Sequence, residues 1–494
     1  MSKPALVLLG TVLGASLNFA ETNRPAPLQL SLEQAVMMGL QHNRGLRVQQ
    51  FNPVIAGAFE QLERGVYDPE LFAEFSDTEE NIVETSTATV SQFQNEGSDT
   101  EGAVGIRQQL PTGTEVEATV SAERSISTRS PEQQTARVGL TVTQQLLRGF
   151  GPAVNLASIR QAELETEASR YELRGYTEAV IADIEITYWR YVAAREAIRV
   201  VEASLEIANS QLEEVESRIE VGDLPENEAA AARAEVALSK QNLIDAQSAL
   251  AEQRYTLVRL VQPDLSVQAM QALEASSPPD VDIAMAPDAG DSILLALQSR
   301  PEIKEAELQL KSGELETVVT RNGRLPKLEL FINLGKTGYA DTFDESFKDL
   351  DGPGYDVTVG LEFSQALGNR QARARDMIAR TELEQGKEAL ANLRDLVRFD
   401  VLLALNELER ARLQVSASAE TRGYREQALQ AERDRFEVGT ATALDVALTQ
   451  RDLLESRIAE IEARVAFLMA RVRLFQAEGT LIERRGLSID PVQR

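Results

Sequence analysis

Two hydrophobic periods alternate along this chain. From Ala153 to Glu220 apolar residues recur every three or four positions, and Ile181, Ile184, Tyr188, Tyr191, Ala194 and Ile198 form one stripe. The stretch holds no proline and a single glycine, Gly175. It therefore predicts one amphipathic helix, roughly 100 Å long at 1.5 Å per residue. A partner helix is predicted from Pro225, a residue suited to a helix start, to Val261. Arg370 to Glu437 and Ala441 to Glu478 repeat the arrangement. Helices usually run to about a dozen residues, so rods of this length require a coiled coil, a helical solenoid or a barrel of helices. No strict a/d heptad is sustained. Small residues such as Ala229 to Ala232 and Ala234 permit close packing on more than one side, as a barrel wall demands.

Between the rods the period drops to two. Val357, Val359, Leu361 and Phe363 alternate with Thr358, Gly360, Glu362 and Ser364. Leu328, Leu330, Ile332 and Leu334 alternate in the same way, as do Val138, Leu140 and Val142, and Val116, Ala118 and Val120. Such strands suit either a half-buried soluble sheet or a membrane barrel with a wet lumen. A tight turn stands at Pro111-Thr112-Gly113. Long polar loops are expected at Thr78 to Thr100, Ser125 to Thr135 and Thr337 to Gly354. Short turns on one side and long loops on the other fit an outer-membrane barrel.

The chain is an internal duplication. Arg64, Pro69 and Leu71 match Arg321, Pro326 and Leu328 at an offset of 257. Val138 to Gln144 matches Val359 to Gln365 at 221, and Arg218-Ile219-Glu220-Val221-Gly222 matches Arg435-Phe436-Glu437-Val438-Gly439 at 217. The order is the same in both halves. The resulting division is a leader (1–20), short helices (30–69), strands, four by this reading (70–146), a long hairpin (152–261), a linker (262–290), short helices (291–323), two strands (327–366), a second long hairpin (370–478) and a tail (479–494).

Composition narrows the function. The 494 residues hold 78 acidic and 50 basic side chains, a formal charge of −28, which disfavours nucleic acid. Cysteine is absent and His42 is the single histidine, so neither disulfides nor a transition-metal site is expected. No phosphate loop or catalytic constellation emerges, and no cofactor is expected. Residues Ala5 to Leu17 form a short apolar run behind Lys3, which reads as a secretory signal with a cut after Ala20. No later segment offers about 20 consecutive apolar residues, so any membrane crossing must be a β-barrel. His42 reads as a packing residue, and Trp189 as part of an aromatic contact between rods.

The order and spacing of these motifs resemble the TolC-like outer-membrane efflux protein family. The carriers are Leu32-Glu33-Gln34-Ala35 with Asn43, Arg300-Pro301-Glu302-Ile303, Gln144 to Gly151, and the two Val-Gly turns. The resemblance implies an α+β membrane protein with a long-helix α-barrel forming a periplasmic tunnel. A transmembrane antiparallel β-barrel, completed by trimerisation in the outer membrane and its lipid, would stand above it. It further implies a passive conduit rather than an enzyme: a homotrimer docking to a periplasmic adaptor and an inner-membrane transporter, in tripartite efflux or type I secretion. The competing class is a coiled-coil scaffold with a small β domain. This chain departs from the family at Arg44-Gly45, where proline often follows the Asn, and in a surplus hairpin. That hairpin implies six strands per protomer and 18 per trimer, unless it folds as a cap or plug.

The turns carry the site expectations. By resemblance, the tips Val221, Gly222 and Asp223, and Val438, Gly439 and Thr440, meet the adaptor and close the tunnel. Six residues past each glycine stand Glu228 and Asp445. An acidic ring at the constriction is common in the family, which favours Asp445; Leu448 stands where some members have a second acid. Arg218 and Arg435, with Asp223 and Glu226, are the candidates for bonds that hold the tips shut.

Overall fold

The computed structural model describes residues 28–85, 92–128, 131–264, 266–279 and 287–487. The expected leader lies outside them. Two compact units emerge, each assembled from distant parts of the chain. The first takes in residues 28–43, 184–279 and 416–465; the second takes in 44–183, 287–415 and 466–487.

Among the described residues eight strands are formed: β1 (Leu28–Leu30), β2 (Glu70–Thr85), β3 (Gln92–Leu110), β4 (Thr114–Ser127), β5 (Gln133–Gln145), β6 (Leu273–Ala275), β7 (Lys327–Ala340) and β8 (Tyr355–Ser364). The helices are α1 (Leu32–His42), α2 (Arg44–Gln49), α3 (Phe51–Arg64), α4 (Pro152–Asn155), α5 (Ala157–Glu220), α6 (Glu228–Val261), α7 (Val267–Gln271), α8 (Ala289–Ser299), α9 (Pro301–Asn322), α10 (Phe343–Lys348), α11 (Arg370–Glu437), α12 (Ala443–Glu478) and α13 (Leu481–Arg484). The α5 and α11 rods, 64 and 68 residues, each contribute to both units.

In the second unit six strands form one antiparallel sheet in the order β2-β3-β4-β5-β7-β8. The surplus hairpin is thus part of the sheet, not a cap or plug. Directly paired residues share a face. One row across the sheet reads Leu71, Ile106, Ala118, Leu140, Leu334 and Val357. The neighbouring row reads Glu70, Arg107, Glu117, Thr141, Asn333 and Thr358. In these rows one face is apolar and the other polar over all six strands, while Phe72 and Phe331 interrupt the polar face where they pack across Gly105 and Gly360. The apolar face is open to the surroundings, with Leu71, Ile106, Val359 and Leu361 all exposed. On the polar face Arg137 of β5 reaches across β7 to Asp356 of β8, with bonds of 2.5 and 2.7 Å. Gly335 makes this possible, because a methyl there would lie 2.3 Å from the guanidinium.

The strands run farther than the sequence suggested. Glu79, Glu80 and Asn81, read as loop, pair with Ser98, Gly97 and Glu96. Polar residues on both faces hide the two-residue period, yet backbone pairing continues. The segment after β7 is not an open loop either. It holds α10, whose Ser346 carbonyl packs where a side chain at Gly338 would stand. Two helix starts also shift: α5 is preceded by the separate turn α4, and Pro225 precedes rather than begins α6.

The helices of the second unit are ordered like its strands. Arg64 of α3 pairs with Glu163 of α5 at 2.5 Å. Gln161 of α5 donates to the Ser312 carbonyl of α9 at 3.2 Å. Arg394 and Asp376 of α11 bind Glu307 and Arg324 from the α9 side at 2.9 and 2.8 Å. Among these four the order is α3-α5-α9-α11, so the helix that feeds β2 and the helix that follows β8 are its two ends, and farther from the sheet α12 and α13 join α9 and α5 through Arg300–Ala477 and Arg174–Glu483.

In the first unit the described part of the expected linker holds α7 and β6. β6 pairs in parallel with β1, and the aromatic cluster holds them. Tyr188 donates to the Leu30 carbonyl at 3.0 Å and Tyr191 to the Leu273 carbonyl at 2.6 Å. Trp189 is buried, edge-on to Tyr188. Among the described residues the hydrogen bond of His42 is local, its Nδ1 3.0 Å from the Met38 carbonyl oxygen. No described helix is long and apolar enough to cross a membrane.

Candidate functional site: the paired hairpin turns

Both Val-Gly turns lie in the first unit and close in the same way. Gly222 and Gly439 have φ of +85° and +75°. The Gly222 amide donates to the Ile219 carbonyl at 3.0 Å and the Asp223 amide to Arg218 at 2.8 Å. At the second turn Gly439 donates to Phe436 and Thr440 to Arg435 at the same distances. Each is a Schellman stop, in which glycine takes the left-handed conformation that a Cβ disfavours. Val221 and Val438 project into solvent, 72% and 74% exposed, although each is a large apolar residue.

Behind the turns the two hairpins share a small core of Val215, Ala232, Leu429, Phe436, Ala443 and Val446. Polar bonds cross the same seam. The Arg218 guanidinium lies 5.2 Å from the Phe436 ring centre and reaches the Glu437 carbonyl at 3.4 Å. Arg451 of α12 binds the buried Glu235 of α6 at 2.9 Å. Gln450 donates to the Ser204 carbonyl of α5 at 3.3 Å.

The two acids sit at one helix start. The Asp445 carboxylate accepts from the Thr442 amide at 2.9 Å and its hydroxyl at 2.7 Å, while the Thr442 hydroxyl accepts from the Asp445 amide at 3.2 Å. This is a reciprocal capping box at the N-terminus of α12. Those Thr442 bonds, chiefly the side-chain one, hold the Asp445 carboxyl below its usual range, with Arg435 adding to the effect. Glu228 accepts from the Ala443 amide at 3.1 Å, across the seam. Asp445 remains exposed, and Glu228 is half-buried.

The structure brings Arg218, Glu228 and Asp445 to the seam and its caps. Arg435 is outward, with Glu432 as a local partner at 3.1 Å. Asp223 and Glu226 are exposed, and the ion pairs of the two arginines run to Glu214 and Glu432 instead of to them. Sequence reasoning missed Phe436, Glu235, Gln450 and Arg451. The signal for Phe436 was the repeat itself, which has Ile219 in the matching position. Among the described residues no cluster of three or more His, Cys, Asp or Glu is arranged to hold a metal ion.

The sequence pattern described as outer membrane efflux protein matches residues 108–261 and 293–480. The chain is 27% identical over 310 residues to the pyoverdine export outer membrane protein OpmQ of Pseudomonas putida, covering 61% of this chain and 62% of that protein. It is 26% identical over 329 residues to the outer membrane efflux protein BepC of Brucella suis, covering 66% of this chain and 68% of that one. The fold matches the Campylobacter jejuni CmeC outer membrane channel with a TM-score of 0.68 at 15% identity, over 98% of both chains.

Proposed function

The chain belongs to the outer membrane efflux protein family, and from that premise we propose that it is one protomer of a homotrimeric exit duct in the outer membrane. In this reading it is a passive conduit, not an enzyme, that receives cargo from an inner-membrane transporter through a periplasmic adaptor. Tripartite efflux and type I secretion both use such a part, and the neighbouring genes decide between them.

One observation carries the reading. Sheet and helix layer end on the same two edges, β2 with α3 and β8 with α11. Both edges leave backbone and apolar surface open: Phe51, Ile55 and Phe59 are exposed on α3, and Leu396, Phe399 and Leu403 on α11. Joining the first edge of one copy to the second edge of the next satisfies both layers at once. Such head-to-tail contact closes into a ring. Three six-stranded sheets then make an 18-stranded barrel, apolar outside and polar within. A solitary scaffold would leave the apolar face in water, which disfavours that alternative.

At the turns, the exposed Val221 and Val438 with Asp223 and Thr440 are the surface offered to the adaptor. Arg218, Glu228 and the seam they bridge hold the tip closed, and three copies of Asp445 form an acidic constriction. The test is single-channel recording of purified protein in planar bilayers under asymmetric KCl. Cation-selective, mostly closed pores are expected. A protein that stays soluble without detergent and carries no current overturns the duct and leaves the scaffold.

A further inference from the structure

Where β8 hands the chain to α11, a groove of about 770 Å³ opens between α9 and α11. Its rim carries Arg321, Arg324, Arg373 and Arg380. Residues 321–327 and 365–380 together hold seven Arg and Lys and one acid, Asp376, in a chain of formal charge −28. Asp376 is buried and already committed to Arg324 and Arg380, at 2.8 and 3.1 Å. Among the described residues Arg321 and Arg373 hold no ion pair, so two guanidinium groups face the groove without a carboxylate.

The duplication supplies an internal comparison. Arg64, the counterpart of Arg321, is neutralised by Glu60 at 3.0 Å and Glu163 at 2.5 Å. At the offset of the short helices Glu60 corresponds to Thr317. The second half has kept the base and put a neutral residue in place of that acid. The N-terminus of α11 opens beside the groove with no acid in its first turn, and its dipole adds further positive potential. Asn369, at φ +41°, fixes that entry by donating to the Arg324 carbonyl at 2.9 Å.

Apolar surface adjoins the charge. Leu367, on the groove wall, is fully exposed at 102%, and Leu325 is exposed beside it. They continue the exposed apolar positions of β8, Leu361 and Phe363. An apolar band ending in unpaired arginines is how a protein surface meets a membrane interface. The guanidinium fork matches phosphate oxygens in pairs.

We propose that this groove seats the phosphate headgroup of a glycerophospholipid of the periplasmic leaflet. Arg321 and Arg373 are its donors, and Leu367 lies along its acyl chains. The proposal rests on the duct reading, since only a barrel in the outer membrane brings the groove to that leaflet.

The test is native mass spectrometry of the full-length assembly in detergent with added phosphatidylglycerol. Arg321→Gln/Arg373→Gln is compared with Arg64→Gln, and planar-bilayer recording is made on the same samples. Wild type and Arg64→Gln are expected to retain the lipid, and the double variant to lose about thirtyfold in apparent affinity. The single variants should each fall part of the way, which holds the test open if the double variant assembles poorly. Equal lipid retention in pores that still conduct overturns the groove and leaves the duct standing. Lipid displaced by excess inorganic phosphate makes it a free-anion site and overturns the lipid seat. Loss of both insertion and current in wild type overturns the duct itself.

Discussion

The Glu228 carboxylate accepts a hydrogen bond from the Ala443 amide at 3.1 Å. An acid of the first hairpin thereby satisfies a first-turn donor of the second hairpin's return helix, which has no partner within its own helix. The contact links stability to closure, because it exists only while the hairpins lie together. Glu228→Ala should cost about 1 kcal/mol by denaturant unfolding, the usual worth of a lost helix cap. The same change should lengthen open events in planar bilayers, and Glu228→Gln, which keeps an acceptor, should fall between. Gating identical to wild type in the alanine variant would remove Glu228 from the closing contacts.

The arginines of the repeat are unequal. Arg218 lies over Phe436 and touches the Glu437 carbonyl, whereas among the described residues the Arg435 guanidinium bonds only to Glu432 one turn away. Arg218→Ala should raise resting conductance clearly, and Arg435→Ala should do so little. A double-mutant cycle between Arg218 and Phe436 should return a coupling of roughly 0.5–2 kcal/mol. Larger resting currents from Arg435→Ala than from Arg218→Ala would reverse this assignment.

Asp445 carries two duties with separable readouts. Its carboxyl is depressed by the Thr442 bonds, so the capping contribution is present above the unfolded value near 3.8 and fades as pH falls through the folded value. At neutral pH the group is charged. Asp445→Asn should keep part of the cap and lose charge, so cation selectivity in asymmetric KCl should fall while amide exchange at Thr442 to Leu444 changes little. Asp445→Ala should speed that exchange as well. Selectivity untouched by both variants would leave Asp445 a capping residue alone.

How much of this was readable in the sequence follows from where the signals are local. The Schellman stops at Gly222 and Gly439 depend on neighbouring residues, and the Val-Gly repeats marked them. The strand faces were readable where one side is apolar, as at Leu140 and Val357. They were lost at Glu79 and Glu80, where both sides are polar and pairing alone carries the strand on. The parallel β1–β6 pair joins residues about 245 apart and consists of three residues a side, too short to show a period. Arg218 and Asp445 were found as candidates, but their partners Phe436, Glu437 and Thr442 were not, because they are set by packing across the seam and by cap geometry.

The paired rows of the sheet allow a test of which face meets lipid. Leu140 belongs to the apolar row and Thr141, its neighbour in sequence, to the polar one. A lysine facing lipid near the middle of a bilayer costs about 2–4 kcal/mol, and a lysine facing water costs little. Leu140→Lys should therefore abolish membrane assembly or sharply lower its yield, while Thr141→Lys should assemble and shift selectivity toward anions. The opposite result, read by membrane fractionation, would turn the sheet inside out.

Glu178 gives the protein a titration near neutrality. It is 3% exposed in the wall of a cleft between α5, α9, α11 and α12, and burial pushes its carboxyl up to about 7. Arg174 Nε stands 3.6 Å away, and that arginine also engages Glu483 of α13. Glu483 and Glu302 oppose ionisation of Glu178, while Arg174 favours it. Arg300, Asp400, Glu407 and Arg473 complete the charged surroundings. Between an unfolded value near 4.5 and about 7 the folded chain binds the extra proton, so stability falls as pH rises through that window. Glu178→Gln removes the charge and keeps the shape. It should leave Tm nearly unchanged at pH 5 and raise it at pH 8 by about 1 °C for each kcal/mol of relieved charge burial. A variant that melts with the same pH dependence as wild type would show that Glu178 does not titrate in this range.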